Sequence, residues 1–234
     1  MCFNATISWG TAAVGLSASI FLWMKHRPRT AWLPLAYFAC MEILQGLMYT
    51  QLGHPMSLFG GCLITVAYVH VCFQPLVFNY WLGTFILPHN RQAYQFTLRL
   101  CFIGGLFLLS RMWTTELSPL CDSWEALCAK KAIIFYGQHN IAWALPLKAG
   151  GFDYVTPSLF LHMFLFFIPG LLLGVPRLVI LMFLGGPWLA SFISSIPSEQ
   201  SSIWCIIGLW MLVVTMLRAP AEPKHEKNRR RFGG

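Results

Sequence analysis

Residues 57–86 read SLFGGCLITVAYVHVCFQPLVFNYWLGTFI, a run without a single Asp, Glu, Lys or Arg. A helix crosses the hydrocarbon core of a bilayer with about 20 consecutive apolar residues, so this stretch is long enough to span it. It shows no period-two alternation, and in lipid every backbone polar group needs an internal partner, which selects helix over strand. Similar runs lie at 8–24, 31–51, 96–114, 157–175, 178–195 and 201–217. The whole chain, at 57% apolar and 10% charged residues with a mean hydropathy of +0.61, falls outside soluble composition. Its 234 residues leave no room for a large separate soluble domain. The expected fold is all-α: a bundle of seven transmembrane helices over 1–218, followed by a basic tail at 219–234.

The connections between these runs carry a consistent charge asymmetry. Lys25, Arg27, Arg29, Arg91, Arg99, Arg177 and the six basic residues from Arg218 onward fall on one side, 12 of the 16 Lys and Arg. The other side holds Arg111, Lys130, Lys131 and Lys148, with Glu116, Asp122, Glu125, Asp153 and Glu199. The positive-inside rule then puts the amino terminus outside and the carboxyl terminus in the cytoplasm, in a plasma or bacterial inner membrane. Met1 to Ser8 carries no charge and Lys25 follows the first apolar run, the reverse of a cleavable signal, so the first helix is expected to be retained. Arg229-Arg230-Arg231 in the tail is expected to lie against anionic inner-leaflet lipid. A single short basic run without a base-reading fold argues against nucleic acid as a partner.

Of the eight cysteines, Cys40, Cys72 and Cys101 fall well inside apolar helices and read as small core residues. Cys2, Cys62, Cys121, Cys128 and Cys205 fall on or near the outer, oxidising face. Cys2, Cys121, Cys128 and Cys205 are disulfide candidates, and four cysteines allow three pairings. The outer loop at about 115–156 is too long for a connector and too apolar for disorder, so it should be folded. Asp122 and Glu125 resemble a capping box, which predicts a surface helix from Ser123 to Tyr136 with Trp124, Leu127, Cys128 and Ile134 on one face and Gly137 as its stop. After it, Gln138 to Asn140 read as solvated and Trp143 as an interfacial tryptophan. Asn4-Ala5-Thr6 fits the glycosylation pattern but lies too close to the first helix for use.

An ionisable residue at mid-membrane costs about 2.5–3.5 kcal/mol by the lower estimates and marks a functional site by default. Glu42 is the one acid so placed, with Gln45 on the same face. The third run carries His70 and Gln74 four apart, then Pro75 and Asn79. Antiparallel neighbours bring Glu42 and His70 to similar depth, so they are expected to meet. Pro75 frees the carbonyl of Val71 as a further acceptor. Read structurally, the same four side chains form a closed clamp that only fixes packing. His162 stands alone and reads as a packed histidine. Gly60-Gly61, Gly104-Gly105 and Gly185-Gly186-Pro187 permit close helix approach or a kink. The chain has no phosphate loop, His-Glu-x-x-His or nucleophile elbow, which excludes the soluble hydrolase and kinase mechanisms.

The Met1-Cys2 start, Tyr37-Phe38-x-x-Met41-Glu42-x-x-Gln45, Tyr68-x-His70-x-x-Phe73-Gln74-Pro75 with Asn79, Ile141-Ala142-Trp143, Gly186-Pro187 and Trp204-Cys205 together resemble an uncharacterised polytopic membrane family found in bacteria. The resemblance implies a seven-helix bundle and no activity, since the family is a domain of unknown function. It marks Glu42, Gln45, His70, Gln74, Cys2 and Cys205. It also implies a His directly before Ile-Ala-Trp, where this chain has Asn140, with His139 one place early.

The functional expectation is a buried polar pocket of Glu42, Gln45, His70, Gln74 and Asn79 that binds or conducts a proton, cation or small polar ligand. The alternatives are a membrane-embedded metal- or haem-dependent enzyme, and a structural subunit of a membrane complex with no site of its own. Cofactor identity, and association with a second copy or a larger complex, stay open at this level.

Overall fold

A computed structural model describes residues 4–54, 57–86, 90–112, 127–147, 158–204 and 207–218. The chain is mainly helical: α1 Ala5–Met24, α2 Arg29–Tyr49, α3 Leu58–Leu82, α4 Arg91–Ser110, α5 Ser158–Leu172, α6 Pro176–Phe183, α7 Leu189–Ile193, α8 Pro197–Ile203 and α9 Ile207–Arg218. Five helices are long and apolar enough to cross a membrane: α1 to α4, and the continuous Pro176–Ile193 helix formed by α6, a π-helical turn and α7. Two more apolar helices, Leu161–Leu172 and Ile207–Leu217, are shorter. The tail and the 113–126 stretch, with its capping-box pair Asp122 and Glu125, lie outside the described residues.

Local chemistry sets several of the helix ends. Asn4 caps α1, its side chain accepting from the amide of Ile7 at 3.0 Å, so the Asn of the glycosylation pattern is a helix cap. Ser57 caps α3 through the amide of Gly60 at 2.9 Å. The π-helical turn Leu184–Trp188 contains Gly185, Gly186 and Pro187; the missing proline N–H interrupts the ladder there.

The outer loop departs from the expected surface helix. Ile133–Tyr136 and Ile141–Ala144 form an antiparallel hairpin, β1 and β2, in which Ile133 pairs with Ala144 and Tyr136 with Ile141. Its 137–140 turn closes with the amide of Gly137 donating to the carbonyl of Asn140 at 2.8 Å. The β-branched and aromatic run Ile133-Ile134-Phe135-Tyr136 favours a strand, and the hairpin buries what a surface helix would have left in water. Ile141, Trp143 and Leu147 are fully buried, so Trp143 is a core residue rather than an interfacial one.

The core has two parts. Met41, Met48, Ile64 and Tyr68 of α2 and α3 pack with Ile134, Ile141, Trp143 and Leu147 of the hairpin region. The second is aromatic, with Phe38, Phe78, Trp81, Phe166, Phe167 and Trp204 among its members. Between α3 and α4 the backbones approach closely: a Cβ on Gly105 would lie 2.8 Å from a Phe73 ring carbon and 2.9 Å from the Cys72 carbonyl. Gly105→Val is therefore expected to lower thermal stability in detergent by about 1–3 kcal/mol, through overpacking. Gly61→Ala, which meets nothing within 4 Å, should leave the melting temperature unchanged.

Candidate functional site

Two polar constructions meet at the end of the bundle where the hairpin sits. The first is built on Glu199 in α8, which follows Pro197 at the helix start. Its carboxylate is fully buried and accepts four hydrogen bonds. Oε2 receives the amide of Gln138 at 2.7 Å and the hydroxyl of Ser194 at 2.6 Å. Oε1 receives the amides of His139, at 2.5 Å, and of Asn140. Three consecutive N–H groups make the hairpin turn an anion nest, filled here by the chain's own carboxylate. Burial pushes this carboxyl up, but the Ser194 hydroxyl and the amides of His139, Gln138 and Asn140 together hold it below the ordinary Glu range. Gly137 makes room for it, since a Cβ there would stand 2.5 Å from the carboxyl carbon of Glu199.

The second construction is a chamber of about 60 Å³ lined by Ile7, Ser8 and Thr11 of α1, Glu42 and Gln45 of α2, Asn140 of the turn, and residues of α8 and α9 including Ser202. At roughly 30 Å³ per water it has room for about two. The Glu42 carboxyl is buried with the Ser8 hydroxyl beside it, and among the described residues no Lys, Arg or His lines the space. Gln45 donates to the Ser202 carbonyl at 3.3 Å. The Ser202 hydroxyl is buried without a hydrogen-bond partner. Asn140 connects the two constructions: its amide reaches Glu199, and its side-chain oxygen accepts from the Tyr49 hydroxyl at 2.6 Å.

Glu42 and His70 do not meet, which corrects the expected pair. His70 stacks on Tyr37 with ring centroids 3.9 Å apart, and its Nε2 donates to the Tyr37 carbonyl at 2.8 Å. A carbonyl can only accept, so Nε2 carries the proton, and Nδ1 faces the Gln74 amide nitrogen at 3.5 Å. At 3.6 residues per turn, Tyr37 and Glu42 point about 140° apart around α2. Equal depth was therefore insufficient: the two side chains lie on different faces. Glu42 and Gln45 stay together in the chamber, while His70 and Gln74 pack on the Tyr37 face.

Asn79 and His162 join a third arrangement, between α3 and α5. Pro75 in α3 cannot bond the Val71 carbonyl, and His162 of α5 donates Nε2–H to it at 3.0 Å. Pro169 in α5 likewise leaves the Leu165 carbonyl, and Asn79 of α3 donates to it at 2.9 Å. Each helix thus satisfies the acceptor that a proline exposes in the other. His162 is packed, as expected, but it is not alone.

A family model described as "Family of unknown function (DUF5765)" matches residues 6–223. The chain belongs to that family. No curated protein and no solved structure matches it. The DUF5765 match runs from the first turn of α1 to beyond α9, and so covers the chamber, the carboxylate nest and the proline braces alike.

Among the described residues of this DUF5765 chain, no group of three or more His, Cys, Asp or Glu is placed to hold a metal ion. Cys40, Cys62, Cys72 and Cys101 are free thiols; Cys72 and Cys101 are buried as expected, whereas Cys40 is exposed. Cys128 is disulfide-bonded. Cys2, Cys121 and Cys205 lie outside the described residues.

Proposed function

We propose that this DUF5765 chain is an integral membrane protein of seven spans, amino terminus outside and carboxyl terminus cytoplasmic, whose functional centre is the Glu42 chamber. The 12 of 16 basic residues on one set of connections support the orientation, and the two shorter apolar helices supply the sixth and seventh spans. The chamber binds a small charged or polar species, a proton or cation foremost. One observation carries this: a carboxyl group within a membrane-length helix, buried with no basic residue among the described lining, beside a void also lined by Ser202, whose hydroxyl has no partner. The hairpin, fixed by Glu199, closes that end of the bundle. Cys128 and one of the candidates Cys2, Cys121 and Cys205 would tie this outer face together, and the tail would rest on anionic inner-leaflet lipid.

A metal- or haem-dependent enzyme has less support: the Nε2–H contacts of His70 and His162 to backbone carbonyls would suit ligating histidines, but among the described residues no group of three or more His, Cys, Asp or Glu is placed to hold an ion. A purely structural subunit draws on the same two contacts, and on those of Asn79, as packing devices. The chamber separates the readings. Difference infrared spectra of the purified protein should show a carboxyl C=O band that changes with pH and is absent in Glu42→Gln, with helical circular dichroism retained. A spectrum in which this substitution removes no pH-dependent band would reject the chamber as a functional centre.

A further inference from the structure

We infer that the ligand of the Glu42 chamber is a single monovalent inorganic cation of about the size of Na⁺. This rests on the reading of the chamber as a functional centre and narrows it to one chemical class. The volume of about 60 Å³ suits an ion with one water better than an organic molecule of more than a few heavy atoms.

The donors select the charge and the kind of ion. Among the described lining residues, Ser8, Thr11, Glu42, Gln45, Asn140 and Ser202 carry side-chain oxygens, and none is a Cys or His. Oxygen donors suit hard cations, whereas copper and zinc sites draw on sulfur and imidazole nitrogen. Glu42 is the sole carboxylate among the described lining residues, so its one negative charge balances one positive charge. Ca²⁺ affinity rises with the number of charged ligands, and Mg²⁺ demands an octahedron that keeps several waters; a single carboxylate and this small room suit neither. An anion would face the Glu42 carboxylate with no basic residue among the described lining to offset it. The Ser202 hydroxyl is the independent sign of a ligand: 2% exposed, in the chamber lining, and without a partner. A buried hydroxyl in that state loses the water bonds it had and gains none, unless something occupies the space before it.

The full-length protein in detergent tests this with radioactive Na⁺ in equilibrium binding, alongside thermal unfolding in NaCl or choline chloride at equal ionic strength. Saturable Na⁺ binding is expected, with a higher melting temperature in NaCl than in choline chloride. Glu42→Gln should abolish both effects, and Ser202→Ala should weaken Na⁺ about tenfold. Because Na⁺ and a proton compete for one carboxylate, NaCl at fixed pH should also diminish the protonated-carboxyl band of the unsubstituted protein, a readout that needs no variant to fold. If the Glu42 band responds to pH while Na⁺ neither binds nor alters it, the cation assignment falls and the chamber stands as a proton site. If no pH-dependent band belongs to Glu42, both fall. Undiminished Na⁺ binding by folded Glu42→Gln would likewise overturn the assignment.

Discussion

Glu199→Gln is expected to lower stability by about 2–4 kcal/mol and to loosen the 137–140 turn while the helices remain formed. Three turn amides and the Ser194 hydroxyl converge on this buried carboxylate. A glutamine retains one acceptor oxygen and places an NH₂ group against donors, so at least one buried N–H loses its partner and the others lose charge assistance. Hydrogen exchange at Gln138, His139 and Asn140 should accelerate roughly 30- to 1,000-fold, the same free energy expressed as an opening equilibrium. The pH dependence follows from the carboxyl lying below the ordinary Glu range in the folded protein. Its contribution is fully present above the unfolded value of about 4.3 and is lost as pH falls through the lower folded value. Acid should therefore release the turn of the unsubstituted protein only below the ordinary carboxylate range, and Glu199→Gln should exchange rapidly at every pH. Slow exchange retained in the variant would show that the hairpin is held by its apolar residues alone.

The helices were legible because lipid-length apolar runs are a one-dimensional signal. The run at 57–86 became Leu58–Leu82, and those at 8–24, 31–51 and 96–114 became α1, α2 and α4 with ends a few residues away. The hairpin was also written in the sequence. Ile133-Ile134-Phe135-Tyr136 and Ile141-Ala142-Trp143-Ala144 flank a polar turn with glycine at its start, a hairpin pattern that the upstream Asp122 and Glu125 pair obscured. Glu42 and Gln45 could be paired from helical spacing, since both lie on one element. What spacing could not supply was rotation between elements: Glu42 and His70 agree in depth and diverge in azimuth. Glu199 was invisible for a related reason. Three of its four partners lie about 60 positions away and are backbone amides, which carry no residue-type signature.

Removing both proline braces at once, with Asn79→Leu and His162→Leu, is expected to cost about 2–3 kcal/mol, nearly the sum of the single losses. Each side chain donates to a carbonyl freed by a proline in the opposite helix, Leu165 for Asn79 and Val71 for His162. Interhelical hydrogen bonds in membranes are worth about 0.6–2 kcal/mol apiece, because the separated helices find other partners in part. Asn79 also donates to the Pro75 carbonyl of its own helix at 2.8 Å, so its loss should be the larger single effect. Val71 and Asn79 are eight residues apart, about 12 Å along α3, which favours additivity, while Phe166 touches both braces, its carbonyl facing Asn79 at 3.5 Å and its ring packing on His162, and so sets a limit to it. Thermal unfolding in detergent of the two single variants and the double variant provides the cycle. A double variant no less stable than Asn79→Leu would mean that the His162 contact contributes nothing once the neighbouring brace has opened. The infrared band of Glu42 should persist in both single variants, since the braces join α3 to α5 and the chamber is lined from α1, α2, α8, α9 and the hairpin turn. A band lost with either brace would tie the chamber to the α3–α5 contact and make the braces part of the functional centre.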